Sequence, residues 1–325
     1  MIELDPRLLL AALVALWSLI LLTMSALFLV HAVRASSRRR REQLDLRARP
    51  LVIRFALAED EDPALGEVLL RADGAFGERV DERLLSVLET VRGEARARIA
   101  AKLVERGHPA RLRRRARGRR TTVRAAALRR LGQLGLPADA ELVRRSITDR
   151  APIVRTVAVR AVASYASARA VEAVLEQLRG KGEVPSIVVV TSLIDQGSRS
   201  PEALEAIRAG LADPRSAVRA ACAQALGELT SAGDAERLGL LLRRDPTPAV
   251  QLATATALER VGRSSSVPAL LEATRSPWGP VRSHALRALL ALPRDVTAEA
   301  IAEVTRRGDP LLMPLLPASD PTTGR

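Results

Sequence analysis

The sequence has few of the residues from which most catalytic and metal sites are built. It contains one cysteine, three histidines and 2% aromatic residues in 325 amino acids. The single Cys222 excludes an internal disulfide and a cysteine cage for zinc. No phosphate-binding loop, nucleophile elbow or dinucleotide fingerprint is present. We therefore expect no metal, no cofactor and no catalytic residues, and a protein that is not an enzyme.

Small aliphatic residues take the place of the missing aromatics. Hydrophobic residues make up 47% of the chain, and most of them are alanine, leucine and valine. Such side chains suit helices that pack closely on other helices. The composition therefore predicts an all-α protein.

Positive charge is concentrated in one part of the chain. The formal net charge is +14, from 51 Lys and Arg against 37 Asp and Glu. Residues 34–130 carry 26 basic and 14 acidic side chains, a net +12, whereas residues 131–325 carry 24 and 21. A local excess of this kind favours contact with phosphate, lipid headgroups or an acidic protein.

The N-terminal part contains a long apolar run, Leu8–Val33, without a formal charge. A bilayer core needs about 20 helical residues, and this run exceeds that length. A cleaved signal peptide is the alternative, but it begins with basic residues and has a shorter apolar stretch. We therefore predict an uncleaved transmembrane helix over residues 8–33, after a short extracytoplasmic segment, 1–7.

The arginines that follow this run predict its orientation. Basic residues that flank a span are retained in the cytoplasm, which predicts a single-pass protein of the bacterial inner membrane with its N-terminus outside. Residues 34–50 are then a basic juxtamembrane linker, and the rest of the chain is cytoplasmic. The residues assigned to topology and to anionic lipid are Arg34, Arg38, Arg39, Arg40 and Arg41.

The remainder of the sequence repeats with a period near 31 residues. Valines mark the copies at positions 123, 154, 218, 250 and 281, and a degenerate copy lies near Val188. Apolar residues at the valine and at 7, 8 and 11 positions beyond it form one stripe of a helix. A second helix follows in most copies, for example over Ala235–Arg243. The repeat is therefore predicted to be a helix-turn-helix unit that stacks on its neighbours.

Three residue types recur around the start of the first helix of each copy. An aspartate precedes the valine by five positions, a proline by four, and an arginine follows it directly, as in the stretch from Asp213 to Arg219. This pattern resembles the HEAT-repeat family in its short, phycobilisome-lyase-type form. The resemblance implies an α-solenoid of about six to seven repeats, here after one transmembrane helix.

The resemblance also divides the chain and assigns structural roles. Residues 51–122 are expected to form degenerate or capping repeats, residues 123–307 the solenoid, and residues 308–325 a proline-rich tail whose leucines cap the last repeat. The aspartates and arginines are expected to link neighbouring repeats by hydrogen bonds. The residues assigned to this ladder are Asp149, Arg155, Asp213, Arg219, Asp245 and Arg282.

The most distinctive feature outside the repeat pattern is a segment with many arginines. Eleven arginines and no acidic residue lie between Arg106 and Arg130. One interpretation is a binding site for an acidic protein segment, a lipid headgroup or nucleic acid, and the other is a solvated helix and loop. The residues assigned to the site are Arg111, Arg113, Arg114, Arg115, Arg117, Arg119 and Arg120.

Together these features predict a non-catalytic scaffold that is anchored in the membrane by residues 8–33. It is expected to bind a protein partner at the cytoplasmic face, with an envelope or polysaccharide-synthesis enzyme as one expected partner. The alternative is a membrane tether that binds nucleic acid or anionic lipid through the arginine-rich segment. Nucleic acid is the less favoured ligand, because so few aromatic side chains are available for base stacking. No small-molecule substrate is expected.

Overall fold

The computed structural model describes residues 6–58, 62–180 and 184–316, in which the side chains of residues 6–15, 30, 32–38 and 232 are not described. These residues form helices and turns, with no strand among them. The chain divides into two compact units, Met1–His108 and Pro109–Arg325. The domain boundary that the sequence suggested was residue 122.

The first unit is built around one long helix. This helix, α1, runs from Pro6 to Leu57 and is followed by α2 (Pro63–Arg71), α3 (Gly74–Leu88) and α4 (Gly93–Glu105). The C-terminal part of α1 packs on α3, with Ala48 and Val52 buried and Asp45 paired with Arg83. Residues 34–50, expected as a linker, therefore lie inside a helix whose end is part of a core.

The predicted transmembrane helix is wrong. Among the residues that the structure describes, no helix is long and apolar enough to cross a membrane. The fold class is corrected accordingly: among the described residues, no transmembrane helix precedes the helical repeats.

The predicted location in the inner membrane is wrong for the same reason, and a membrane contact through residues 8–33 is not shown. The topology role given to the arginines after this run depended on the span and is not retained. Arg39, Arg40 and Arg41 are exposed on α1, and the side chains of Arg34 and Arg38 lie outside the described part.

The second unit consists of alternating first and second helices. The first helices are α6 (Thr121–Leu134), α8 (Pro152–Val162), α10 (Ser186–Gly197), α12 (Ser216–Leu229), α14 (Pro248–Val261) and α16 (Gly279–Ala291). The second helices are α5 (His108–Ala116), α7 (Ala140–Arg145), α9 (Ala168–Arg179), α11 (Pro201–Ala209), α13 (Ala235–Arg244), α15 (Val267–Ala273) and α17 (Arg294–Arg307). Each first helix packs on the next first helix, which gives the stacked arrangement of a solenoid.

The core of this unit follows the valine register of the sequence. Val154, Val218 and Val250 are fully buried, and so are Leu226 and Leu258, eight positions after the last two valines. Val123 differs, since it is 36% exposed. The apolar stripe of each first helix is therefore the surface that packs, as the helical spacing requires.

Leucines after the last helix cover the end of the repeats. Leu312 is buried against Leu286 of α16 and Val304 of α17, and Leu315 and Leu316 pack on the same cluster. These contacts remove apolar surface of the last repeat from water. The sequence predicts disorder for residues 319–325, which lie outside the described residues.

Candidate functional site

Consecutive first helices lie parallel to one another, which brings their N-terminal turns to one edge of the second unit. At the start of the helices, Arg219 of α12 pairs with Asp245 before α14. Near their ends, a Cβ added to Gly227 of α12 would lie 2.6 Å from Ala257 of α14. Matching ends therefore meet, and we call the edge formed by these first turns the N-terminal edge.

The arginines and aspartates of the repeat pattern connect neighbouring repeats along this edge. Arg124 contacts Asp149 at 2.9 Å, and Arg219 contacts Asp245 at 2.6 Å. Arg282 lies 2.9 Å from Asp309, an aspartate that the sequence analysis did not assign. Each link joins the arginine of a first helix to the aspartate that follows the second helix of the same repeat, and the first two of these aspartates stand directly before the next first helix.

The remaining members of the predicted ladder have other partners. Asp213 is contacted at 2.5 Å by Arg179 at the end of α9 instead of by an arginine of a first helix. Arg155 donates a hydrogen bond to the carbonyl oxygen of Asp149 at 2.8 Å. Arg219 makes the same bond to the carbonyl of Asp213, so this arginine both closes its own turn and reaches the next repeat.

In one link between neighbouring repeats, both the aspartate and the arginine are replaced by uncharged residues. Ser276 stands where an aspartate is expected, and its hydroxyl contacts the side-chain oxygen of Gln251 at 3.1 Å. Gln251 occupies the arginine position of the preceding repeat. Because both charged residues are replaced together, neither repeat keeps a buried charge without its partner.

Hydrogen bonds and ion pairs lower the pKa of each of the three aspartates in the ladder. Burial alone would raise the pKa of Asp245, but the Arg219 guanidinium and the backbone amide of Thr247 hold that pKa below its usual value. The pKa of Asp149 is lowered in the same way by Arg124 and the amide of Ala151. The pKa of Asp213 is lowered by the amide of Arg215 and by Arg179, again against the effect of burial. All three carboxyls are therefore stabilised in the charged form.

A second set of aspartates was not found from the sequence. Asp139 and Asp234 lie at the entries to second helices and are fully buried. Arg113 contacts Asp139 at 2.5 Å, and Arg208 contacts Asp234 at 2.7 Å. Both aspartates follow their repeat valine by 16 positions, which is the signal that the sequence offered. Because Arg113 forms an ion pair with a buried carboxylate, its role is to stabilise the fold.

The arginines of the predicted site fall into two groups: some interact with other residues of the chain, and the others are exposed to solvent. Arg113 is engaged with Asp139, and Arg111 is half-buried. Arg115 is exposed and, like Arg111, has an interaction within the chain. The other arginines are exposed and have no hydrogen bond or ion pair from their side chains among the described residues. We call these four residues the basic cluster: Arg114, Arg117, Arg119 and Arg120.

The turn that carries the basic cluster is held in place by buried side chains. Leu112 and Ala116 are buried and fix α5 on its apolar side. Arg124, which is buried, donates hydrogen bonds to the carbonyl oxygens of Gly118 and Arg119 as well as to Asp149. The end of α5 and the turn into α6 are therefore fixed by packing and by a buried guanidinium.

The N-terminal edge also exposes two large apolar side chains. Ile153 is 56% exposed and Ile187 is 68% exposed, each in the residue before the buried valine of its helix. The helices that carry them, α8 and α10, are neighbours, and α8 packs on α6. Sequence reasoning missed these isoleucines because it examined the buried stripe and not the residue beside it.

The histidines and the cysteine have structural surroundings. His108 is buried and its Nδ1 lies 3.0 Å from Asp81, which also contacts the buried Arg106 at 2.5 Å. Cys222 is fully buried in α12, and burial raises the pKa of its thiol to about 12. Nδ1 of His284 is 3.0 Å from the carbonyl oxygen of Pro280 one turn earlier. In the described part of the chain no group of three His, Cys, Asp or Glu residues is arranged to hold a metal.

Comparison with known proteins identifies the repeat in the C-terminal part of the chain. Residues 235–313 match the family model of HEAT repeats, so the resemblance stated from the sequence is confirmed for this segment. No curated protein matches the chain.

Several solved structures are similar to the chain at low identity. Human deoxyhypusine hydroxylase in complex with glycerol is 18% identical, with a TM-score of 0.31 over 79% of this chain and 98% of that one. Kap121p bound to Pho4p is 13% identical, with a TM-score of 0.43 over 83% of this chain and 35% of that one. The complex of CpcE and CpcF of phycocyanin lyase from Nostoc sp. is 17% identical, with a TM-score of 0.31 over 80% and 97%. At these scores the likeness supports no argument about function.

Proposed function

We propose that this chain is a non-catalytic scaffold whose second unit binds a protein partner along the N-terminal edge. The observation that carries the proposal is the exposure of Ile153 and Ile187 on two adjacent first helices. A group of exposed apolar side chains on one surface is a feature of protein-binding sites. The edge is built on rigid helices, so a partner meets a surface that needs little ordering on binding.

The interior of the same unit supports this proposal. The polar side chains buried there include Asp139, Asp234 and Thr254, and each is bonded to a neighbouring residue of the unit. The thiol of Cys222 is shielded and protonated at neutral pH. These buried groups stabilise the stack of helices. We therefore assign the binding of a partner to the surface of the unit.

Site-specific photocrosslinking tests the proposal. A photoreactive amino acid at Ile187 is expected to crosslink a defined protein in cells that produce the chain naturally. The matched control is Leu240, which is 45% exposed on the second helix α13. Crosslinks at Ile187 that exceed those at Leu240 support the scaffold. If the two positions give the same products, the N-terminal edge is not a protein-binding surface.

A further inference from the structure

We infer that the partner presents an acidic polypeptide segment, which binds the basic cluster beside Ile153. This inference rests on the proposed function and deepens it, because it gives the chemistry of the partner. The cluster lies at the end of α5 and in the turn into α6, and α6 is adjacent to α8. Since the first turns share one edge, the arginines and the exposed isoleucine lie along the same surface.

The charges of the cluster are not compensated from within this part of the chain. Residues 109–150 contain three acidic side chains. Asp139 is paired with Arg113, and Asp149 is paired with Arg124. Glu141 is paired with Arg144 and Arg145. Each nearby carboxylate is therefore engaged elsewhere, and the four exposed guanidinium groups are left for a ligand from outside.

The chain holds these like charges together at a cost in electrostatic repulsion. Buried Arg124 binds the carbonyl oxygens of the turn, and Leu112 anchors the helix before it. A fixed group of cations attracts an anion more strongly than the same cations on a mobile segment, because less side-chain and backbone freedom is lost on binding. The buried contacts thus hold the basic cluster ready for a negatively charged segment.

The side chains around the basic cluster favour a polypeptide over a nucleic acid as its ligand. Single-stranded nucleic acids are bound by basic grooves in combination with exposed aromatic rings. Phe, Trp and Tyr are absent from the stretch between Phe76 and Tyr165, and the Tyr165 hydroxyl donates to the carbonyl oxygen of Leu131 at 2.7 Å. The neighbouring exposed side chain is aliphatic Ile153. Acidic residues interspersed with apolar ones match this combination of guanidinium groups and an isoleucine.

The experiment uses the full-length protein and a fluorescent peptide in which glutamate alternates with leucine. We expect binding that weakens as salt is added, because the charges are exposed. The variant R114A/R117A/R119A/R120A is expected to lose about tenfold or more in affinity, as four exposed ion pairs contribute at least about 1.4 kcal/mol together. Replacing the same arginines by lysine is expected to retain most of the binding.

A matched variant controls for the loss of net charge. R160A/R243A/R244A/R287A removes four other exposed arginines of the same unit and is expected to bind the peptide like the parent protein. I153S is expected to weaken binding while the salt dependence stays the same. Equal losses in the two quadruple variants would overturn the assignment to the basic cluster. If the lysine variant folds but does not bind, a positive charge alone is insufficient and the inference also fails.

Two further ligands complete the test. A peptide with glutamine in place of every glutamate is expected to bind much more weakly, and equal binding would overturn the inference. A single-stranded oligothymidylate of equal charge is expected to bind more weakly than the acidic peptide. If it binds more tightly, the ligand is a nucleic acid. Crosslinks at Ile187 without acidic-peptide binding would leave the scaffold intact and remove only this inference.

Discussion

At the scale of single residues, arginines that look alike in the sequence have different roles. Arg113 and Arg114 are neighbours in one helix, but Arg113 contacts the fully buried Asp139 and Arg114 points to solvent without a partner in the described part of the chain. Arg124 is a third kind, since it is buried and fixes the turn before its own helix. Residue type alone therefore does not separate structural arginines from those available for binding.

Replacing Arg113 by alanine tests this distinction. The change leaves the carboxylate of Asp139 buried without its cation, so the free energy of unfolding is expected to fall by about 2 kcal/mol or more. Arg114→Ala is expected to change it by less than about 0.5 kcal/mol, because the side chain is exposed. Urea unfolding followed by circular dichroism measures both values. Equal effects of the two substitutions would show that Asp139 does not depend on Arg113.

At the scale of helices, small residues set how closely the repeats stack. A Cβ on Gly132 of α6 would lie 2.8 Å from the Cβ of Ala161 on α8, and Gly227 and Ala257 meet in the same way on α12 and α14. Such close approach is possible because one helix contributes glycine and the other alanine. Ala161 and Ala257 are thus each half of a contact whose other half is a glycine in the preceding first helix of the pair.

Gly227→Ala is expected to destabilise the protein although alanine favours helices. In an exposed helix interior this substitution gains up to about 1 kcal/mol. Here the added methyl group would overlap Ala257, and overpacking of this kind costs about 1–3 kcal/mol. Thermal and urea unfolding measure the change. Gly233→Ala is the control, because a Cβ at Gly233 meets no atom within 4 Å.

A second substitution shows whether the overlap is the cause. Ala257→Gly in the Gly227→Ala background reopens the space and is expected to restore part of the lost stability. If Gly227→Ala is neutral or stabilising, the two helices do not approach as closely as the structure indicates.

At the scale of the whole molecule, the links between repeats make stability depend on pH. Asp149, Asp213 and Asp245 lie at successive described links of the second unit, and the pKa of each is lowered. A carboxyl whose pKa is lower in the folded state stabilises that state above its unfolded pKa of about 3.9. This contribution is lost as the pH falls through the folded pKa.

Unfolding by urea between about pH 6 and pH 2 measures this dependence. The free energy of unfolding is expected to decrease steadily below about pH 4. Asp245→Asn is expected to lower stability at neutral pH and to make the decrease below pH 4 shallower, because the neutral amide does not titrate. Asp195→Asn, at an exposed position of α10, is the control and should leave the slope unchanged. If Asp245→Asn leaves this slope unchanged, the carboxyl of Asp245 does not contribute to the loss of stability at low pH.

The helical repeats of this protein can be predicted from its amino-acid sequence. Val154, Val218 and Val250 recur at once or twice the repeat period, and each begins an apolar stripe at helical spacing, so the stripe identifies the core. The predicted second helix Ala235–Arg243 differs from the observed helix by one residue at its end. Local capping and turn residues fix such limits without reference to distant parts of the chain.

The pairing of polar residues across repeats could not be predicted from the sequence and depends on how the helices pack. The pairing of Arg179 with Asp213 joins residues 34 positions apart, and that of Arg113 with Asp139 joins residues 26 apart. The first pair does not follow the arginine register, because the degenerate repeat has Val189 where an arginine is expected. The uncharged run at the N-terminus likewise indicated a membrane span from local composition, and no described helix meets the requirement for one. Composition and spacing describe one helix at a time, whereas burial, ion pairing and exposure depend on the helices around it.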